Sequence, residues 1–401
     1  MEQPIFDTYN TTKKILGIDA SNIRAGGGLT HLIELLRAAN PYLENFSKVY
    51  VWGGSDTLAH LDNAPWLKKV CDPMLNRALP YRVWWQIFRL PCLLKEANCD
   101  ILFAPGGLLI GNFRPSVTMS QNLLPFETIE RNRYGLSFKG LRLLLLKLLQ
   151  SRSFLKANGL IFLTQYARNY LADVFDISRA HSTIIPHGIS ARFVRRPSKQ
   201  EPITAFSTTR PFRILYVSTV DVYKHQWNVV EAVARLRREG LPLHLTLIGP
   251  AYPPALQRLK QALLKFDPEA EFVSYLGQMP YDEIDLHYKT SNLCVFASSC
   301  ENLPIILLEG MSSGLPIACS NRGPMPEVLG NNGAYFDPEN AGDIAQAIGK
   351  LVHSQDNRTK LSKFSFLIAS QFNWENCANL TFRFLAETYH RFRQESGSGS
   401  K

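Results

Sequence analysis

Two glutamates separated by seven residues are the strongest candidates for chemistry, in Ala297-Ser-Ser-Cys-Glu301-Asn302-Leu303-Pro304-Ile-Ile-Leu-Leu-Glu309-Gly-Met-Ser-Ser-Gly314-Leu-Pro316. The segment reads as a strand end, a turn over residues 298–302 and a helix entered at Pro304. Proline suits a first helical turn because its missing N–H would go unpaired there. The free N–H groups of that turn and the positive helix end make a seat for phosphate, which puts Asn302, Leu303 and Pro304 beside a ligand. Glu301, just ahead of the helix, can reach hydroxyls in a cleft. Glu309 lies almost two turns in, placed to accept hydrogen bonds from a ribose diol. Either glutamate alone would pass for an ordinary helix carboxylate. Glu309, however, is embedded between Ile305-Ile-Leu-Leu308 and Met311, where an unpaired carboxylate is costly.

The glycine run Gly26-Gly27-Gly28 follows an apolar stretch. Backbone free of side chains can approach a phosphate or a sugar closely, although a plain tight turn would use the same residues. The run fits neither G-x-G-x-x-G nor G-x-x-x-x-G-K-[ST], which speaks against dehydrogenases and P-loop enzymes. Gln121 and Asn122 follow another strand-like stretch and are expected to line a cleft as sugar or acceptor contacts; a turn-capping Asn122 is the alternative. The sequence has no Asp-x-Asp and no His/Cys cluster at metal spacing, so neither a metal nor a cofactor beyond a co-substrate is expected.

These residues need elements to hold them. Short β-branched runs alternate with helical stretches, which implies parallel sheets with helices on both faces. Strands are expected at residues 14–19, 49–52, 101–103, 116–119, 160–163 and 183–185. A turn over 24–28 leads into a helix at 29–39, and Pro186-His187-Gly188-Ile189 closes this half. After a polar, proline-bearing stretch over 195–211 the pattern restarts, with strands at 212–217, 244–248, 272–275, 293–296 and 317–319 and a helix at 226–238. The α/β chain therefore divides into two doubly wound, Rossmann-like domains, 1–190 and 191–372. A helix over 373–394 is expected to pack back on the first domain, followed by a flexible tail over 395–401. Ligands of such sheets lie at the carboxyl ends of the strands, and a cleft between two of them suits the joining of two substrates.

The segment around Glu301 and Glu309 resembles the E-x7-E motif of retaining family-4 glycosyltransferases of the GT-B fold. The resemblance runs on through Ser312-Ser-Gly-Leu-Pro316, Gly323-Pro-Met-Pro-Glu327-Val and Gly333-Ala-Tyr-Phe-Asp-Pro338; it covers most of the second domain and is looser over the first. It implies transfer of a sugar from a UDP- or GDP-linked donor to a glycan or lipid-linked acceptor with retained configuration and no obligatory metal. Glu301 would contact the donor sugar, Glu309 the ribose, and the glycine loop would lie over the diphosphate. In Ile214-Leu-Tyr-Val-Ser218-Thr219-Val-Asp-Val-Tyr-Lys224-His, Lys224 matches the family's lysine, a cation that balances the departing diphosphate. Glu301 and Lys224 are thus the expected catalytic residues. Thr219 stands where the family has arginine, and Arg24 and Arg322 are candidates to replace that charge. His187-Gly188 resembles the family's turn into the second domain and reads as a hinge. Since no carboxylate of the first domain presents itself as a nucleophile, the resemblance implies a front-face reaction, in which positioning and electrostatics do the catalysis. Family habit points to bacterial cell-surface polysaccharide or lipopolysaccharide. A nucleotide-sugar epimerase would share the architecture but need an acid/base pair; Thr219 keeps open a degenerate relative that binds nucleotide without transfer.

Composition fits this frame. The 401 residues, 45% apolar and 19% charged, are those of a globular chain with two cores. Seven cysteines without a C-x-x-C pair point to a reducing compartment. The stretch MEQPIFDTYNTTKK has no apolar core of a signal peptide, and no run of about 18 apolar residues occurs, so a cytoplasmic protein is expected. A net charge of +10 asks for an anionic partner; with no nucleic-acid motif, nucleotide or membrane remains. Residues 131–172 hold eight basic side chains and no acidic one, around the apolar stretch 140–149. This is either a helix lying on an anionic membrane or a core helix with snorkelling cations; Lys139, Arg142, Lys147, Arg152 and Lys156 do not share one face at ~100° per residue.

Overall fold

The computed structural model describes residues 13–178 and 180–398. The first sheet contains β1 (Lys14–Asp19), β2 (Phe46–Gly53), β3 (Leu67–Cys71), β4 (Ile101–Ala104), β5 (Ser116–Met119), β6 (Gly159–Phe162) and β7 (His181–Ile184). Its order is β3-β2-β1-β4-β5-β6-β7, with every neighbouring pair parallel. The second contains β8 (Phe212–Val217), β9 (Leu243–Ile248), β10 (Val273–Tyr275), β11 (Leu293–Phe296), β12 (Ile317–Ser320) and β13 (Ala334–Phe336), ordered β10-β9-β8-β11-β12-β13 and again parallel. Helices cover both faces, so β4 and β11 are buried along their whole length and read as continuous apolar runs. Both sheets reverse their strand order beside their first strand, between β1 and β4 and between β8 and β11. Such a reversal opens a crevice at the carboxyl ends of the strands. Loops after all four strands contribute to one cavity between the sheets.

The strands expected at 14–19, 116–119, 212–217 and 293–296 occupy those residues. The glycine run differs from expectation: the helix begins at Gly26 and runs to Ala38, so the three glycines form its first turn rather than a turn ahead of it. Gly26 has φ +68°, a conformation that glycine adopts without steric cost. The helix after β11 spans Ile305–Ser312 with Pro304 as its N-cap, which leaves Glu309 one turn in, not almost two.

The chain crosses between the sheets at two adjacent places. Ile189 N–H donates to the Phe372 carbonyl at 3.0 Å, and Gly188 lies so close to the backbone of Asn373 and Trp374 that a Cβ would collide with it. The Trp374–Ser398 helix then returns over the first domain, with Phe382 edge-on to Phe46 (5.9 Å between ring centres) and Arg383 3.7 Å from Glu44. It extends four residues past the expected end at 394, so residues 395–398 are helical rather than tail; residues 399–401, like 1–12, lie outside the described residues.

The Phe138–Lys156 helix is not a core helix. Leu143, Gln150, Ser153 and Phe154 face inward, whereas Phe138, Leu141, Leu144, Leu145, Leu148 and Leu155 are each at least 45% exposed. At ~100° per residue those six fall on one side of the helix. No helix among the described residues is long and apolar enough to cross a membrane.

Candidate functional site

A cavity of about 760 Å³ separates the two sheets. The first domain lines it with Gly26, Gly27, Gly28, Gln121, Asn122 and Gln150, and the second with Thr219, Glu301, Leu303 and Glu309, beside backbone-rich loops at 248–250 and 278–279. The Gly26–Ala38 and Ile305–Ser312 helices both present their first turns to it. Two positive helix ends therefore converge on one space, the arrangement that receives anions.

Lys224 closes the β8 loop. Its carbonyl accepts from Tyr216 Oη at 2.7 Å, and His225, in the left-handed conformation at φ 51°, starts the Gln226–Arg238 helix directly behind it. The Lys224 ammonium is paired with the Glu301 carboxylate and stands 5.0 Å and 5.3 Å from the ring centres of Tyr223 and Phe296. Only 8% of its side chain is exposed. Pairing and the two rings keep a buried cation tolerable. Glu301 lines the cavity and Lys224 stands behind it, so the carboxylate masks the cation until something displaces it.

Glu309 is 2% exposed, yet it too lines the cavity. Tyr281 Oη donates to its Oε1 at 2.9 Å and Tyr288 Oη to its Oε2 at 3.3 Å. Burial pushes the carboxyl up to about 7, against the pull of these two hydrogen bonds. A carboxylate has about four acceptor positions, so capacity remains for two hydroxyls. Both tyrosine rings rest edge-on against Phe193, at 5.4 Å and 5.5 Å, in the segment that crosses between domains.

Two residues sit differently from the sequence reading. Asn302 and Pro304 do not line the cavity, whereas Leu303 does. The Asn302 side chain reaches across to the first domain, donating to Ser120 O at 3.1 Å and Ser120 Oγ at 3.0 Å, while its carbonyl accepts from Thr164 Oγ1 at 3.0 Å. Asn302 is thus a strut between domains, its side-chain N–H committed to Ser120 while its Oδ1 is buried without a partner. Asn122 both lines the cavity and caps a turn, accepting from Leu124 N–H at 3.0 Å. Gln121 packs its Oε1 3.1 Å from the place a Cβ would take at Gly28, one reason a glycine is needed there.

Neither arginine named for the missing charge replaces it. Thr219 lines the cavity, but Arg24 donates to the Leu75 and Arg77 carbonyls and Arg322 pairs with Asp337 at 3.1 Å; neither reaches the cavity wall. His187 does reach it, stacked 4.4 Å from His31 and 5.6 Å from Trp374. Burial pushes His31 down to about 4 and His187 well below its ordinary value, so both rings are neutral at pH 7.

Sequence reasoning missed Gln150, Glu127 and a row of interdomain contacts. Gln150 lies on the inner face of the leucine-rich helix and offers the cavity a buried Oε1 without a partner. Glu127 is buried at the seam behind Glu301, with its carboxyl pushed up to about 7 by burial, but it does not line the cavity. Along the seam, Asp221 accepts from Tyr134 Oη at 2.9 Å and from Lys139 at 2.7 Å. Arg133 bridges Glu130 and Glu339, and Glu327 accepts from the Gln165 and Tyr166 N–H groups at 2.7 Å each. Each partner lies more than 80 positions from its mate except Glu130, a separation that leaves no local signal. Among the described residues no group of three or more His, Cys, Asp or Glu side chains is placed to hold a metal ion.

Residues 199–366 match the family described as glycosyl transferases group 1. O-antigen chain mannosyltransferase B of Escherichia coli is 28% identical over 167 residues, 42% of this chain and 44% of that protein. The amylovoran biosynthesis glycosyltransferase AmsK of Erwinia amylovora is 25% identical over 189 residues, 45% of each. The chain thus matches under half the length of these curated relatives. Among solved structures, a glycosyltransferase from Rickettsia africae superposes with a TM-score of 0.68 at 17% identity, over 95% of this chain and 99% of that one. The Anabaena protein Alr3699/HepE, solved in complex with UDP-glucose, does so with 0.65 at 18% identity, over 95% and 100%. These likenesses establish the two-domain GT-B fold over nearly the whole chain. The matched residues 199–366 hold the second sheet and both cavity glutamates.

Proposed function

We propose that this protein is a retaining glycosyltransferase of the family-4 type, transferring a sugar from a UDP- or GDP-linked donor in the synthesis of a bacterial cell-surface polysaccharide or lipopolysaccharide. The observation that carries this reading is the meeting, in one cavity at two facing strand-order reversals, of two helix first turns, the Glu301–Lys224 pair and Glu309. The names of the Escherichia coli and Erwinia relatives, and the UDP-glucose in the Anabaena structure, favour the donor and the pathway.

In this reading the ribose hydroxyls hydrogen-bond the free positions of Glu309, and the diphosphate lies between the Gly26 and Ile305 helix ends. The donor sugar's hydroxyls engage Glu301, which releases Lys224 to face the diphosphate. The bond from the anomeric carbon to the phosphate oxygen breaks, its electron pair staying on the diphosphate. The acceptor oxygen bonds to that carbon on the same face, and its proton passes to a diphosphate oxygen. The chain's residues align the partners and balance charge that develops in the transition state, with Lys224 as the cation on hand in place of a metal.

A panel of nucleotide sugars, followed for nucleotide release, tests this. Release by the intact protein that is lost in Glu301→Ala supports transfer or donor hydrolysis. Interconversion of the sugar without release would mean an epimerase. Nucleotide binding with neither outcome would mean a non-catalytic relative, the reading that the unfilled charge at Thr219 favours. No nucleotide binding at all sinks the proposal.

The protein is further proposed to work at the cytoplasmic face of a membrane. The outward leucines of the Phe138–Lys156 helix, flanked by exposed Arg142 and Arg152, fit an interfacial helix on anionic lipid. Leu145→Glu with Leu148→Glu is expected to weaken binding to phosphatidylglycerol vesicles at least tenfold, about the loss of burying two half-exposed leucines. Flotation of the full chain with vesicles measures it; unchanged binding would rule this helix out.

A further inference from the structure

A second cavity, of about 260 Å³, adjoins the first and shares Tyr281 and Glu309 with it as a wall. Thr30 and His31 of the Gly26–Ala38 helix, Ser190 of the crossing segment and Trp374 at the start of the last helix line the rest. Every part of the chain that meets at the domain crossing thus faces this one space. The stacked histidines stand between the two cavities: His187 lines the larger and His31 the smaller, with 4.4 Å between ring centres. The donor reading uses neither ring.

The smaller cavity has hydrogen-bonding groups to spare. His31 is 1% exposed and its Nε2 has no partner among the described residues, and Trp374 Nε1 is likewise buried and unpaired. Gln121 Nε2 stands 3.4 Å from His31 Nδ1; an amide N–H donates there, so the neutral ring carries its proton on Nε2. Two N–H donors of the wall therefore lack an acceptor, a costly state that a ligand oxygen relieves. The charges, by contrast, are matched. Arg37 pairs with Glu34 at 2.7 Å and Asp62 at 2.8 Å, Arg192 pairs with Asp282, and Glu309 takes hydrogen bonds from Tyr281 and Tyr288. Neither arginine calls for an anion. Aromatic rings beside a few convergent polar groups are the make-up of a small-ligand pocket, and here they ask for a neutral ligand rich in hydroxyls. The volume is about a third of the main cavity's, in proportion to one sugar ring against a nucleotide sugar.

We propose that this hinge cavity binds a single neutral sugar ring as an effector, and that the bound sugar tightens nucleotide binding in the main cavity. Its walls come from both domains, so a ring held there favours the interdomain angle that brings the walls onto it. The same closure brings Gly27 and Thr30 toward Ile305 and Glu309, four residues that border both cavities. Two ligands that favour one angle assist each other, and by linkage the assistance is equal in both directions. The coupling, though not the cavity, rests on the nucleotide-sugar reading of the main site.

The test titrates the full chain, without nucleotide, with glucose, galactose, mannose and N-acetylglucosamine. It follows the Trp374 indole N–H signal by NMR, assigned by its loss in Trp374→Phe. At least one sugar is expected to shift that signal saturably. Ser190→Leu, which fills the cavity from the crossing segment, should weaken that sugar's binding at least fivefold, whereas Glu301→Ala, which removes the sugar contact of the main cavity, should keep the shift. Should Ser190→Leu fail to fold, Trp374→Phe keeps an aromatic ring and removes the N–H, and is read by saturation transfer from protein to sugar with the same loss expected. No shift with any of the four sugars would overturn the proposal. A shift abolished by Glu301→Ala and kept in Ser190→Leu would overturn it too, by placing the sugar in the main cavity. Tighter binding of glucose 6-phosphate than of any neutral sugar would show an anion site instead and likewise overturn it. Affinities for UDP and GDP are then measured with and without the effective sugar. The nucleotide that binds is expected to do so at least fivefold more tightly with the sugar present, the lower end of measured couplings, and to tighten the sugar by the same factor. Unchanged nucleotide affinity would overturn the effector role. If neither nucleotide binds, the donor reading falls, while the titration without nucleotide still judges the cavity.

Discussion

Lys224→Met is expected to slow sugar transfer by about a thousandfold, the upper end of what removing one preorganised charge donor costs. The upper end is chosen because nothing nearby replaces it. Thr219 carries no charge, Arg24 is tied to two carbonyls of its own domain, and Arg322 pairs with Asp337. The methionine keeps most of the packing against Tyr223 and Phe296 but leaves Glu301 without its partner. Burial of a carboxylate that has lost its cation is destabilising, so the double variant Lys224→Met, Glu301→Gln is the control. It should recover melting temperature without recovering rate. Single-turnover nucleotide release under saturating donor measures the effect. A fall of less than tenfold would show that the ammonium does not stabilise the leaving diphosphate.

Glu309→Gln should separate stability from binding. The folded carboxyl sits at about 7 against an ordinary value of 4.5, so the folded protein keeps a proton that the unfolded chain has released between those two values. Folding therefore takes up a proton in that window. The stability contributed is full below about pH 4.5, declines as pH rises, and is lost above about 7. Because the group is fully buried, the shift corresponds to roughly 3 kcal/mol. Glutamine carries no such penalty, and the variant should be more stable than the parent at pH 8 and about equal at pH 5, as judged by urea unfolding. Its nucleotide affinity should nevertheless fall at least tenfold, since an amide keeps one acceptor where the carboxylate offers two. In the parent, affinity should climb with pH through about 7; in the variant that slope should vanish. Glu127, also pushed up to about 7, leaves a residual pH dependence of stability in both proteins but lies outside the cavity. A Glu309→Gln protein no more stable than the parent at pH 8 would show that the two tyrosine hydrogen bonds already offset burial.

What could be read from the sequence was what is local or continuous. The central strands are apolar on both faces and declare themselves. Glu301, Leu303 and Glu309 sit within nine residues, so a single turn and helix bring them to one wall. The edge strands β3 and β13 went unread for a physical reason. β3 contains Lys68 and Lys69 and is buried on neither face, which leaves no alternation, and β13 has three residues. The glycines of the first turn were placed before the helix because glycine disfavours helical interiors; at an N-terminus, where it frees N–H groups for a ligand, that penalty matters less. Asn302 was assigned to the ligand because its neighbours face it, and only the fold brings Ser120, 182 positions away, within its reach. The leucine-rich helix shows the limit in another way. Its composition is that of a core element, and whether a leucine is covered depends on what surrounds the chain as well as on the chain.

The crossing at Ile189 and Phe372 couples two things that look separate. Two rigid bodies joined at a pair of adjacent points can turn about those points but can neither slide nor separate there, so most of their relative freedom reduces to a single swing. The pivot is not inert. Phe193, four residues from Ile189, presses on both tyrosines that hold Glu309, so a swing of the domains would load or relax the cradle of that carboxylate. The domains are also tied to each other through Asn302, Asp221 and Arg133. The acid that would hold the nucleotide is in this way geared to the angle between the domains.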